Sequence, residues 1–286
     1  MKKYFIGAIL GLAVFSLVAC GDSATPINGA AEKSELTLEQ VFNNTMERQE
    51  SLQSVKANMT MEQETAMTIE GEEVQMTSST NIEMSHTTKP MALFADGTMS
   101  MTIAGEDEAF NMPLKMYLTE ADGFYMNDMM SNGWVKFPED MYEDLLSQMG
   151  ANTDAQEQLQ QLKPFLKDFK FEQTDGEYIL TLNANGEKFS EMILEQVTGT
   201  LGQQLGEEDL SAFDGMKIED AKYIITIDKE TFDMEKIAMD FVMTVDVEGV
   251  LAKVNTSSTI TYSNFNAIDP ITIPQDVINT AVDFEL

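Results

Sequence analysis

A period of two, held over long stretches, limits the fold more than any other feature of this chain. Ile237, Met239, Phe241, Met243, Val245 and Val247 alternate with Ala238, Asp240, Val242, Thr244 and Asp246. Successive side chains leave a strand on opposite faces, so such a run presents one apolar face and one largely polar face. The pattern recurs in Val55, Ala57, Met59 and Met61, and in Val74, Met76, Ser78, Thr80, Ile82 and Met84. It recurs again in Met99, Met101 and Ile103, and in Phe110, Met112, Leu114, Met116 and Leu118. Tyr178, Leu180 and Leu182, then Tyr223, Ile225 and Ile227, then Val250 to Tyr262 complete the set. Gly71, Gly105, Gly123, Gly176 and Gly249 stand in the turns between these runs. Strands with one wet face, joined by short turns, build an antiparallel sheet. Pro113 cannot donate to a ladder, so its strand is expected at an edge or to carry a bulge.

Helical spacing appears between the sets of strands. Leu38, Val41, Phe42, Thr45, Met46, Gln49 and Leu52 predict a helix over 38–53, opened by a capping box of Thr37 and Gln40. Pro138 opens a second stretch that Gly150 closes, and Leu159, Leu162, Phe165 and Leu166 mark a short third. Phe189, Ile193, Val197, Leu201 and Leu205 mark a fourth, from about 186 to 205. Strands and helices do not alternate strictly, which favours α+β over parallel α/β. Long half-buried strands in one meander curl. The expected architecture is a curved antiparallel β-sheet, an open half-barrel, with helices covering its concave side.

The amino terminus carries a different signal. Lys2 and Lys3 precede an apolar run from Phe5 to Val18, the layout of a secretory leader. The run is short for a membrane span, which takes about 20 residues. It ends in Leu17-Val18-Ala19-Cys20, which resembles a bacterial lipobox, and Cys20 is the only cysteine. That resemblance implies cleavage before Cys20 and a diacylglycerol on its thiol. The expected division is a signal peptide at 1–19, a lipidated flexible tether at 20–35 and a single domain at 36–286.

Composition excludes several functions. Lys and Arg number 17 against 49 Asp and Glu, a net charge of −32. A surface this acidic repels nucleic acid at long range. His86 is the only histidine and Arg48 the only arginine. No Gly-x-Ser-x-Gly elbow exists for His86 to serve, and His-rich metal sites are excluded. The acidic turns lack the ligand spacing of a calcium loop. The chain is therefore expected to be non-enzymatic, without cofactor or metal, and monomeric.

Methionine numbers 22, and its flexible thioether lines adaptable apolar surfaces. Met112, Leu114 and Met116 on one strand, with Met239, Phe241 and Met243 on another, are the candidates for a ligand cavity. Such a stripe reads equally as ordinary packing.

The lipobox, the helix, the Met-rich strands, Asp122-Gly123-Phe124-Tyr125, Gly133-Trp134-Val135-Lys136 and a final Ile273-Pro274 together resemble surface lipoproteins of Gram-positive bacteria. Those are similar in architecture to the LolA family and its relatives LppX and LprG. The resemblance implies a half-barrel closed by helices over an apolar cavity that takes acyl chains. LolA itself carries no lipid anchor, so its partners do not transfer. Two functions remain in view. One is an anchored lipoprotein binding a lipid or other apolar ligand. The other is a lipoprotein with a dry core that meets a protein or cell-wall partner.

Overall fold

The computed structural model describes residues 23–30, 34–69, 71–106, 109–127, 133–139, 141, 155–184, 217–247 and 250–284. Cys20, the leader, the helix expected at 186–205 and most of that expected at 138–150 lie outside them.

Among these residues thirteen strands form one sheet. They are β1 (Thr25–Pro26), β2 (Ser54–Ile69), β3 (Glu72–Thr88), β4 (Met91–Ile103), β5 (Phe110–Thr119), β6 (Gly123–Asn127) and β7 (Trp134–Lys136). The second set is β8 (Lys170–Gln173), β9 (Glu177–Ala184), β10 (Lys217–Asp228), β11 (Met234–Val247) and β12 (Val250–Ser263), and β13 is Val282–Asp283. The spatial order is β1-β8-β9-β10-β11-β12-β2-β3-β4-β5-β6-β7-β13. The sheet is curved and open, with β1 and β13 as its two edges. Two antiparallel meanders, β2 to β7 and β8 to β12, are joined where β12 pairs with β2. The only parallel pairs among these strands are β1 with β8 and β13 with β7.

Helix α1 (Leu38–Glu50) opens as its sequence predicts. Gln40 N–H donates to Thr37 Oγ1 at 3.3 Å, and Thr37 N–H donates to Gln40 Oε1 at 2.9 Å. It ends three residues early, where Ser51 Oγ donates to the Arg48 carbonyl at 2.7 Å. Helix α2 (Ala155–Leu162) runs into a 3₁₀ turn at Lys163–Asp168 that accommodates Pro164. Val41 and Phe42 of α1 and Leu159 and Leu162 of α2 pack with Leu180, Leu182, Ile225 and Ile227 of the sheet. These large side chains are almost wholly buried, each worth about 1.5–3 kcal/mol of transfer free energy. The main core therefore lies over β8 to β11.

The described helices do not share one side of the sheet. Helix α3 (Gln275–Thr280) sets Val277 beside Ile273 and Tyr125. Tyr125 pairs with Tyr117, one residue out of phase with Leu118 and Met116, so α3 packs on the opposite face from α1. The expectation of helices over one concave side is met only in part.

Three further differences have physical reasons. Residues 23–30 are not a free tether. Ala24 is fully buried, Thr25–Pro26 add an edge strand to β8, and Ile27 N–H donates to the Gln173 carbonyl at 2.9 Å. Small polar residues carry no period, yet an edge strand needs only backbone pairing. We expect deletion of residues 23–34 to cost about 2 kcal/mol, the worth of two or three such bonds, lowering the melting temperature by roughly 4–8 °C. An unchanged melting temperature would contradict this docking. β4 begins at Met91 rather than near Met99 and keeps one register with β3 throughout. Pro113 sits inside the sheet, but β6 pairs only with Met116–Thr119, so β5 is open on that side at Pro113. There the Asn127 side chain donates to the Pro113 carbonyl at 2.9 Å and accepts from the Lys115 N–H, standing in for a strand. A residue's N–H and C=O leave a strand on the same side, so the missing N–H falls on this open edge.

Candidate functional site

The ladder registers decide which side chains share a face. Met239 pairs with Ser258, Ser258 with Met61, Met61 with Thr80, Thr80 with Met99, and Met99 with Met112. One row thus crosses six strands. A parallel row runs Phe241, Thr256, Gln63, Ser78, Met101, Phe110. Another runs Ile237, Ile260, Met59, Ile82, Gly97, Leu114. Met116 follows from Ala95 and Met84, and Met243 faces Val254.

The six candidates therefore lie on one face of the sheet. They do not form one contact cluster: β11 and β5 are five strand steps apart, about 24 Å along the sheet. Met59, Met61, Met76, Met84, Met99 and Met101 lie between them on the same face. These were legible as strand residues but not as part of a site. None of the six candidates reaches full burial, whereas Leu180 and Ile225 of the core do. Met99 is 38% exposed and Phe110 59%.

Among the described residues this face bears no Asp, Glu, Lys or Arg from Ile237–Val245 of β11 to β5. Three ion pairs of these strands lie on the other face. Lys56 pairs with Glu83 at 2.7 Å, Lys115 with Asp96 at 2.9 Å and Lys253 with Glu219 at 2.9 Å. At the α1 end of the apolar face, burial pushes the Tyr223 and Tyr262 phenols up to about 12. Both stay neutral at any physiological pH.

A groove of about 540 Å³ opens on the polar face of β9 to β12 and β2. Glu62, Glu64, Asp220, Lys222, Asp240 and Asn255 line it, and Ser257 Oγ donates to Asp240 Oδ1 at 2.7 Å. Of the six candidates only Phe241 is among its lining residues. Among the described residues no three His, Cys, Asp or Glu side chains are grouped to hold a metal ion. No described helix is long and apolar enough to cross a membrane.

Fold and face together define an open, mostly antiparallel β-sheet protein whose sheet is apolar and methionine-rich on one side and charged on the other. The chain belongs to DUF6612, a family of unknown function, which it matches over residues 37–282. No curated protein matches it. Two solved structures are similar to it at low identity. One is a DUF1329 family protein from Desulfovibrio piger, 10% identical, covering 79% of this chain and 91% of that chain with a TM-score of 0.22. The other is a beta-barrel-like protein of the domain of unknown function DUF1849 from Brucella abortus, 7% identical, covering 74% and 100% with a TM-score of 0.17. At these TM-scores neither adds to the account of the fold.

Proposed function

We propose that this chain is a membrane-anchored, extracytoplasmic lipoprotein that binds a lipid or other apolar ligand against its methionine-rich face, without catalysis. The observation that carries the reading is that face. Among the described residues it is free of charge from Ile237–Val245 of β11 to β5, in a chain of net charge −32, and it is only half buried at all six candidates. A packed core tends toward complete burial and fixed rotamers. Methionine, unbranched and polarisable, suits a surface that reshapes around an acyl chain. Each methylene buried there contributes about 0.8 kcal/mol, so about ten supply roughly 8 kcal/mol before ordering costs. The likeness of the sequence pattern to LolA-like lipoproteins supports the same reading.

The anchor rests on Cys20. Replacing it by Ser is expected to release the protein from the membrane fraction or leave the leader uncleaved. Retention equal to the wild type would remove the lipobox from the account. The face is tested by Met243→Gln and Leu114→Asn, each measured for urea midpoint and for affinity to a fluorescent acyl probe. Truncation in a packed core costs about 2–5 kcal/mol, and an unpaired buried amide adds to that. A wall that touches ligand or water loses less, so we expect a stability loss below about 2 kcal/mol with weaker probe binding. A loss at or above that packed-core range, with no specific binding by the wild type, would favour the dry-core interaction module.

A further inference from the structure

The apolar face carries a polar strip at its centre. Thr256 of β12 faces Gln63 of β2, and Gln63 faces Ser78 of β3. Thr80 follows two residues along β3, on the same face as Ser78. Thr80 is 4% exposed and Thr256 6%, and neither hydroxyl has a hydrogen-bond partner among the described residues. Between them Ser78 Oγ and Gln63 Oε1 are 3.5 Å apart, the outer limit of a hydrogen bond. Apolar side chains flank the strip: Phe241 beside Thr256, Met61 and Met99 on either side of Thr80, and Met101 beside Ser78.

A buried hydroxyl left without a partner is costly, and native proteins leave few of them. Two on one face, within one strip, mark positions where a partner is supplied from outside the chain. A pure hydrocarbon would leave both unsatisfied. A carboxylate or phosphate would bring a charge to a face with no Lys or Arg between β11 and β5 among the described residues. A neutral hydrogen-bonding group satisfies the hydroxyls and brings no charge with it.

Resting on the proposed function, we propose that Thr80 and Thr256, with Gln63 and Ser78 between them, form the polar subsite for a neutral amphiphile. Its ester, amide or hydroxyl groups lie on this strip, and its hydrocarbon parts run outward over the flanking methionines and Phe241. Gln63 supplies both a donor and an acceptor, and each hydroxyl can act as either, so the strip takes carbonyl and hydroxyl groups alike.

The test uses the mature protein and three pyrene-labelled probes of equal chain length: a diacylglycerol, a fatty acid at pH 8 and an alkane. Wild-type protein is expected to bind the diacylglycerol at least tenfold more tightly than the fatty acid. The double variant Thr80→Val, Thr256→Val is expected to lose about tenfold in diacylglycerol affinity and to keep its alkane affinity. Its urea midpoint should equal or exceed the wild type's, because valine preserves the shape and removes two unpaired hydroxyls. Fatty acid bound as tightly as diacylglycerol would overturn the neutral-ligand assignment. Equal losses for diacylglycerol and alkane would overturn the strip as a polar subsite. Failure of all three probes to bind would instead overturn the ligand-binding reading itself, and this inference with it.

Discussion

Gly97→Ala is expected to destabilise the protein by about 4 kcal/mol or more, a large fraction of the roughly 5–15 kcal/mol that holds an ordinary domain folded. Gly97 lies in the middle of β4, between Ile82 of β3 and Leu114 of β5. A Cβ there would stand 2.2 Å from the Asn81 carbonyl oxygen and 2.7 Å from the Ile82 Cα. These are backbone atoms of the neighbouring strand, so rotamer changes cannot relieve the contact. β3 and β4 would have to part at the centre of the sheet, losing ladder bonds on both sides. Glycine inside a strand marks such close approach. The control is Gly176→Ala in the β8–β9 turn, where nothing lies within 4 Å of the added carbon. It should cost less than about 1 kcal/mol, in line with an ordinary surface change. Urea midpoints of the two variants give the comparison, and near-equal values would contradict the β3–β4 geometry.

The second large effect concerns the only arginine. Arg48 Nε donates to Asp233 Oδ1 at 2.6 Å, and its Nη2 donates to Oδ2 at 3.4 Å. The fork ties α1 to the turn between β10 and β11, clamping the helix onto the sheet. Asp233 is 7% exposed, so Arg48→Met leaves a carboxylate buried without its partner. Breaking a buried pair costs about 3–5 kcal/mol. The Arg48 side chain is 26% exposed, which admits water to the vacated site, so we expect about 2–4 kcal/mol. Adding Asp233→Asn should restore a large part, because the stranded charge is gone. The double-mutant cycle measures the coupling. A single-variant loss under about 0.5 kcal/mol would show that the pair holds nothing in place.

These two positions mark where the sequence stops being legible. Strand phase was readable locally: the alternation of β11 and that of β5 each fix a face, and side chains alternate wherever the chain is extended. That both faces are the same side of one sheet depends on four intervening strands keeping register, which no local pattern reports. The alternation marks β4 only from Met99 onward. Its first half contains Asp96-Gly97, a dipeptide favoured in turns, held extended here by pairing on both sides. Arg48 and Asp233 are 185 residues apart, so their pairing is a property of the fold alone. Residues 23–30 look like a linker because two paired residues and one buried alanine make no period. The polar strip is visible in the sequence as Gln63, Ser78, Thr80 and Thr256 standing at apolar-phase positions. That the Thr80 and Thr256 hydroxyls lack partners among the described residues is a fact of the assembled sheet. Cys20 rests on the sequence motif alone.

The most direct measurement of the central claim is organic-solvent extraction of the protein purified from its own membranes, followed by mass spectrometry of what is released. The extract is compared with that of the Met243→Gln variant prepared in the same way. The account predicts a neutral, acyl-bearing molecule at roughly one per wild-type chain, separable from the covalent anchor, and less of it from the variant. An extract without stoichiometric apolar material, or one identical for both proteins, would contradict a ligand-binding face.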